Sequence, residues 1–345
     1  MNIKDVAQEA GVSVATVSNV INGTKYVSDE LTQRVREAIA RLHYEPNPYA
    51  RGIKGHVTHA IGVVLSKLDQ TFFPNLLRGI EEVAAKHDYR VIIQYSNYRQ
   101  DVELSSIRFF LSTNVDGILL NSVAQVNNDE YYKWLSNIKN GDKPIPIVSL
   151  ERDLTRYSID SVCIENINSA VIATRHLLQH GCHNIIHIAG PKDFPIADDR
   201  AEGFLQAVQE KNVNYRIVHG DFTPNSGYAC TRSLLNNGTI FDGLFCANDA
   251  MAVGALKALR EYNINCPDEV RIVGFDNSYI ASLIRPSLST IHVPQRGIGA
   301  KAVEQLMVRI NKVSDSPAQL TKLPTRFITR RSSDPEQNDI WELEL

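Results

Sequence analysis

The chain has 345 residues, 43% hydrophobic and 22% charged, a globular composition with enough length for two or three compact units. No apolar run is long enough to span a bilayer, and Met1 to Gly11 lacks the apolar segment of a secretory signal, so a cytoplasmic location is expected. A net charge of −3 gives no electrostatic pointer to nucleic acid, and the five cysteines, odd in number and without a C-x-x-C pair, argue against a disulfide framework or a zinc knot.

Asn2 is placed to cap a short helix from Ile3 to Ala10, with Asp5 in its first turn and Val6, Ala7 and Ala10 on one face. Gly11-Val12-Ser13 then breaks it, and Gly11 suits the left-handed conformation of a tight interhelical turn. Ser13 caps a second helix in which Val17, Val20 and Ile21 fall at i, i+3 and i+4. Ala15, Thr16, Ser18, Asn19 and Asn22 make its opposite, small and polar face, and Gly23 ends it. Two short helices joined in this way form the helix-turn-helix pattern, whose second helix can enter a major groove, although a generic three-helix bundle has the same spacing. A third helix follows, with Ser28 as its cap, Asp29 and Glu30 in its first turn, and Val35, Ala38, Ile39 and Leu42 as its stripe. Beyond Pro46 and Pro48, the stretch Tyr49 to Gly55 is too short and glycine-broken to be a stable isolated helix and reads as a linker.

From Ile61 onward, strand-like apolar runs alternate with helical patterns. Ile61 to Ser66, Val91 to Ser96, Gly117 to Asn121 and Ile145 to Leu150 form one series of buried parallel strands, with helices such as Leu76 to Lys86 between them. Asn184 to Ala189, Arg216 to Val218, Gly243 to Cys246 and Val270 to Phe275 form a second. Two open α/β units place a ligand at the carboxyl ends of their strands, in a cleft between them. Just after those strands stand Phe72, Phe73, Glu151, Phe222, Asn248, Asp249 and Asp276, with Arg200 after the loop Gly190 to Asp199. Carboxylates, an amide and a guanidinium read vicinal hydroxyls, and aromatic rings cover the C–H face of a sugar. One of Phe72 and Phe73 is expected in the core and the other in the cleft, while Asp249 reads equally as ligand contact or helix cap. The cluster His176, His180, Cys182, His183 and His187 fits no ordinary zinc spacing. The chain has no G-x-S-x-G, P-loop or strand-linked G-x-G-x-x-G, and Gly297-Ile298-Gly299 lacks a phosphate-binding context, so no enzyme, metal or cofactor is expected.

The chain resembles the lactose-repressor (LacI/GalR) family from end to end. The run D-V-A-x-x-A-G-V-S-x-x-T-V-S from Asp5 to Ser18 carries the resemblance, with Val20-Ile21-Asn22-Gly23, Tyr44-Glu45-Pro46-Asn47 and Ala50-Arg51. Val115-Asp116-Gly117-Ile118, Cys246-Ala247-Asn248-Asp249, Gly274-Phe275-Asp276 and Arg330-Arg331-Ser332-Ser333 extend it. It implies an all-α helix-turn-helix DNA-binding domain over 1–46, a hinge over 47–58, and an α/β effector-binding and dimerisation domain over 59–345. The last is like the periplasmic sugar-binding proteins, two lobes of parallel sheet with helices on both faces. The expected N-lobe is about 59–155 and 288–320 and the C-lobe about 156–287 and 321–345, with crossings near Thr155, Arg285 to Thr290 and Thr321. Function follows as a homodimeric repressor on palindromic operator DNA, controlled by a small effector, a sugar or sugar derivative, with no membrane association.

Residue by residue, the resemblance makes Ser13 and Thr16 phosphate contacts and puts Val14, Ala15 and Asn19 at base-reading positions, with Asn22 on the same face. Val14 has a competing reading as core, three residues before Val17. Tyr49, Arg51 and Ile53 carry hinge contacts, with Ile53 where the family usually has a wedging leucine. Gly52 before it weakens the hinge helix by about 1 kcal/mol relative to Ala. Arg200 and Asp276 are the foremost effector contacts, Asn248 is next, and Glu151 stands where an aspartate is frequent. Gln295 to Ile310 lacks the pattern of the catabolite-control branch, so a diffusible ligand is expected rather than a protein co-repressor.

Overall fold

Asn2 closes a capping box that starts the first helix, α1 (Ile3–Ala10). Its Oδ1 accepts from the backbone N–H of Lys4 at 2.8 Å and of Asp5 at 3.3 Å, and its own N–H donates to the Asp5 carboxylate at 2.8 Å. Gly11 follows at φ +64°, and the Arg34 guanidinium donates to the Ala10 carbonyl at 2.7 Å, so close that a Cβ on Gly11 would meet it at 2.6 Å. The turn therefore requires glycine for both conformation and space. Ser13 caps α2 (Val14–Asn22) by accepting from the Thr16 N–H at 3.1 Å. Ser28, expected to cap α3 (Asp29–Arg41), makes no side-chain cap bond; the first turn is instead served by the negative charges of Asp29 and Glu30 at the positive helix end. Val6, Ala7, Ala10, Val17, Val35 and Ala38 are buried together, and Ile39 and Leu42 pack half-buried beside them.

The computed structural model describes residues 1–23, 25–44, 57–68, 70–125, 127–211, 213–311 and 316–337, without the side chain of Asn22. It divides the chain into two units, Met1–Thr58 and His59–Leu345.

The larger unit holds two six-stranded sheets. Its first half runs β1 (Ala60–Leu65), α4 (Phe73–Lys86), β2 (Arg90–Tyr95), α5 (Gln100–Ser112), β3 (Gly117–Leu120) and α6 (Asp129–Leu135). A two-stranded hairpin, β4 (Lys139–Asn140) and β5 (Lys143–Pro144), precedes β6 (Ile147–Leu150) and β7 (Asp160–Ile164). Its second half runs α7 (Asn166–Gln179), β8 (Asn184–Ala189), α8 (Pro195–Gln209), β9 (Asn214–His219), α9 (Pro224–Asn236), β10 (Gly243–Cys246), α10 (Asp249–Glu261), β11 (Arg271–Asp276) and α11 (Tyr279–Leu283). The chain ends through β12 (Ser289–His292), α12 (Gln295–Ile310), β13 (Leu320–Leu323) and β14 (Arg326–Ile328).

The first sheet, in the order β13-β7-β6-β3-β1-β2, is parallel throughout. The second, β14-β12-β11-β10-β8-β9, is parallel except for its antiparallel edge strand β14. Both faces of the first sheet are covered: Val63 and Leu119 pack with Leu76, Ile80 and Leu306, while Val64, Ile118 and Leu120 pack with Ile107, Phe110 and Tyr132. Such strands read as unbroken apolar runs because neither face meets water.

The crossings between sheets fall later than expected. β7 belongs to the first sheet, so the chain crosses after Ile164 rather than near Thr155; β12 belongs to the second, so the return follows His292; and β13 is in the first sheet, so the last crossing lies between Leu323 and Arg326. A short apolar run encodes a strand but not its neighbour, which is decided by the sheet edge left open.

The first sheet's helices α4 and α12 approach through two glycines. A Cβ on Gly79 would meet the Arg296 carbonyl oxygen at 2.0 Å, and one on Gly299 the Leu76 carbonyl oxygen at 2.1 Å, whereas nothing stands nearer than 3.5 Å to one on Gly297. Gly299→Ala is therefore expected to lower unfolding free energy by about 1–3 kcal/mol through overpacking. Gly297→Ala should instead be neutral or add up to about 1 kcal/mol. Urea unfolding of the two variants checks the contrast, and equal effects would remove the close-contact account.

Candidate functional site

On α2 the side chains of Ser13, Val14 and Ala15 are exposed, while Val17 is buried. Val14 is 39% exposed, which resolves its two readings in favour of the open face. The Ser13 and Thr16 hydroxyls are hydrogen-bonded to each other at 2.8 Å at the start of the helix, whose positive dipole end favours an anion. Asn19, expected to be exposed, is half-buried because it flanks the packed stripe. The side chain of Asn22, and Tyr49, Arg51 and Ile53 entirely, lie outside the described residues.

The larger unit gathers seven of its eight expected effector residues around one cleft: Phe72, Phe73, Glu151, Arg200, Phe222, Asn248 and Asp276. Arg200, on α8 and 3% exposed, organises it. Its Nε donates to Asn166 Oδ1 at 3.0 Å, its Nη1 to the Ala247 carbonyl at 2.6 Å, and its guanidinium carbon sits 3.7 Å from the centre of the Phe275 ring. Its Nη2 is 3.6 Å from Asp276 Oδ1, an ion pair too long to be a hydrogen bond. Asp276 Oδ1 is buried with no hydrogen-bond partner among the described residues. Burial pushes the Asp276 carboxyl well above the usual carboxylate range against the opposing pull of Arg200. Glu151 accepts from Asn121 Nδ2 at 2.8 Å, and burial raises its pKa to about 7 although Arg200 and Arg152 pull it down.

Backbone strain collects at the same place. Glu151 has φ +65°, Phe222 φ +64° and Asp276 φ +106°, and none is glycine. Such conformations cost about 1–3 kcal/mol each and persist where surrounding contacts over-determine them. Asn248 is one such contact: its Oδ1 caps α10 by accepting from the Met251 N–H at 2.9 Å, and its Nδ2 donates to the Phe222 carbonyl at 3.0 Å. Another is Gln295, whose Nε2 donates to the Asp276 carbonyl at 2.7 Å.

Two expectations need correction. Asp249 does not line the cleft and does not cap α10; it accepts from the Ser278 N–H at 2.7 Å and from the Thr290 hydroxyl at 2.6 Å in the core. The cap belongs to Asn248, two residues past the end of strand β10. Phe72 and Phe73, expected to separate, both border the cleft with rings edge-on at 5.5 Å, and both are buried. Sequence reasoning missed Ser66, Gln70, Tyr98, Asn121, Phe194 and Ile196 on the same wall. Ser66 and Asn121 carried a signal, each standing at the end of an apolar strand; Tyr98 and Phe194, edge-on at 5.7 Å from opposite halves of the unit, carried none.

The cleft encloses a cavity of about 30 Å³, room for about one water, so a sugar requires the two halves to part. His176 and His187, from the histidine-cysteine cluster, are core groups. His187 Nδ1 is 2.9 Å from the Phe245 carbonyl and His176 Nε2 is 2.7 Å from the Ser333 hydroxyl, with burial pushing their pKa values down to about 3 and about 4.

Residues 2–47 match the family described as bacterial regulatory proteins, lacI family, and residues 174–333 match the periplasmic binding protein-like domain. The chain is 34% identical to the ribose operon repressor of Halalkalibacterium halodurans over 97% of its own length and 98% of that protein's. It is 32% identical to catabolite control protein A of Priestia megaterium, covering 96% and 99% of the two chains. Among solved structures, the Lac repressor dimer bound to operator and the anti-inducer ONPF superimposes with a TM-score of 0.84 at 25% identity, covering 96% of this chain and 99% of that one.

A pKa raised on folding contributes stability that is complete below the unfolded value, 4.5, and is lost as pH climbs through about 7. Glu151→Gln carries no such dependence at this position. The variant is therefore expected to gain about 1–3 kcal/mol on the parent between pH 5 and roughly pH 8. Denaturant unfolding at the two pH values measures it, and a constant difference would show that Glu151 is not desolvated.

Proposed function

This chain belongs to the lacI family of bacterial regulatory proteins, and we propose that it represses transcription as a homodimer whose hold on a palindromic operator is set by a sugar or sugar derivative in the Arg200–Asp276 cleft. The unmatched, buried Oδ1 of Asp276 beside the Arg200 guanidinium carries this reading. A hydroxyl donates to the one and accepts from the other, while Phe72 and Phe222 offer apolar cover to the rest of a ring. A carboxylate this enclosed is within reach of a diffusible ligand and not of a protein co-repressor. The family membership and the relationship to a ribose operon repressor favour the same class. No catalytic step is part of the reading, and the protein acts in the cytoplasm.

One helix-turn-helix reads a half-site, so two-fold symmetry in protein and operator go together. Ser13 and Thr16 take phosphate, Val14 and Ala15 face bases, and Asn19, Asn22 and the hinge residues Tyr49, Arg51 and Ile53 complete the DNA contacts. In the larger unit the chain passes between the sheets three times, a geometry suited to rotation of one half against the other. A ligand that bridges the halves favours one rotation, and it alters operator affinity only by its unequal affinity for the DNA-competent and incompetent states.

A thermal-shift screen of sugars tests the class: a binder at a hundred times its Kd adds about 2.7 kcal/mol and raises Tm. Asp276→Asn should abolish that shift and the change in operator affinity while leaving ligand-free operator binding intact. Arg200→Ala should abolish the response as well, with an added stability loss because Asn166 and Ala247 also lose their donor. A full response in both variants would take them out of the site. Asn19→Ala should weaken the best operator by about 1–3 kcal/mol and relax one base preference in a gel-shift series, and an equal loss on random DNA would make Asn19 a phosphate contact.

A further inference from the structure

A second cavity adjoins the cleft and shares Glu151 and Ile196 with it. It encloses about 280 Å³ against about 30 Å³ in the cleft, close to the lower bound of ligand pockets at roughly 300 Å³. Arg152 forms part of its wall and is 6% exposed. The Arg152 Nη1 donates to the Tyr132 hydroxyl at 2.9 Å and to the Ala124 carbonyl, and the ring of Phe194 stands 5.4 Å from the guanidinium carbon. Its Nη2 has no hydrogen-bond partner among the described residues. A donor held this firmly, buried and unmatched, is arranged for an acceptor from outside the chain.

The charges around it select the acceptor. Asp153, Glu165 and Asp199 border the cavity, while Lys322, the other cation there, is paired with Glu165 at 2.6 Å. A phosphate or carboxylate facing Arg152 would be repelled by that acidic excess. Sugar hydroxyls meet both demands, accepting from Arg152 and donating to the carboxylates. We propose that this cavity is a second sugar subsite, so that the effector is an uncharged disaccharide or glycoside with one ring on Arg200 and Asp276 and the next ring beyond Glu151, on Arg152 and Asp199. The inference rests on the reading of the cleft as a polyol site and extends it to the size and charge of the ligand.

Calorimetric titration of the full-length protein tests it, using methyl glucopyranosides, galactopyranosides and xylopyranosides against maltose, cellobiose, lactose, melibiose and xylobiose. At least one disaccharide should bind about tenfold or more tightly than the methyl glycoside of its own ring. Arg152→Met and Asp199→Trp should each bring that ratio to within about twofold of unity while the methyl glycoside keeps its affinity. Arg152 is buried, so Asp199→Trp, at an exposed position of α8, decides the matter if Arg152→Met does not fold. Disaccharides that bind no better than methyl glycosides, or a preference that survives Asp199→Trp, overturn the subsite and leave the cleft standing. Sugar phosphates binding more tightly than their neutral parents overturn the uncharged class. No heat from any sugar removes the cleft reading and the subsite with it.

Discussion

A guanidinium and a carboxylate held 3.6 Å apart, in a place from which water is nearly excluded, organise the larger unit. Arg200 is committed on every side: to Asn166 at the head of α7, to the carbonyl that follows β10, to the face of Phe275 and to Asp276. Breaking a buried pair by removing one partner costs about 3–5 kcal/mol, because the survivor stays buried and uncompensated. The pair is nonetheless incomplete, with one carboxylate oxygen unmatched. It differs in this from an ion pair such as Arg309 with Asp160, whose two carboxylate oxygens accept at 2.7 and 2.8 Å.

Strain and polarity converge on the same strand ends. Four non-glycine residues with positive φ, Tyr98, Glu151, Phe222 and Asp276, border one small cleft, each at or just past the end of a strand or its following loop. The contacts that hold them come from elsewhere in the chain: Asn248 holds the Phe222 carbonyl, and Gln295, the first residue of α12, holds that of Asp276. Gln295 also accepts from Asn75 on α4 at 3.3 Å, so the first sheet's helices are bonded to the strained end of a second-sheet strand. A change in the cleft is thereby connected to the layer of helices on the first sheet through bonded groups.

The small unit works by a different physical economy. Its core is six small or medium apolar side chains, and its order comes from local chemistry: a capping box, a left-handed glycine, a serine cap, and Arg34 reaching across to the end of α1. The face of α2 and its cap that carries Ser13, Val14, Ala15 and Thr16 presents short side chains.

Local chemistry was legible in the sequence for that reason. The limits of α1 and α2, their caps and the buried stripe follow from residues within four positions of one another, and the apolar runs of Asn184–Ala189 and Gly243–Cys246 mark their strands directly. Glu151, Phe222 and Asp276 were also legible, since each follows a strand end, and in open α/β sheets strand ends are where ligands lie; Arg200, inside α8, was singled out by the family resemblance. Which sheet β7, β12 and β13 join, the shared use of Phe72 and Phe73, the turning of Asp249 into the core, and the approach of Tyr98, Phe194 and Arg152 were decided only by the tertiary structure. Periodicity specifies which side of an element is apolar; what that side meets depends on the packing of segments distant in the sequence, and no local pattern encodes it.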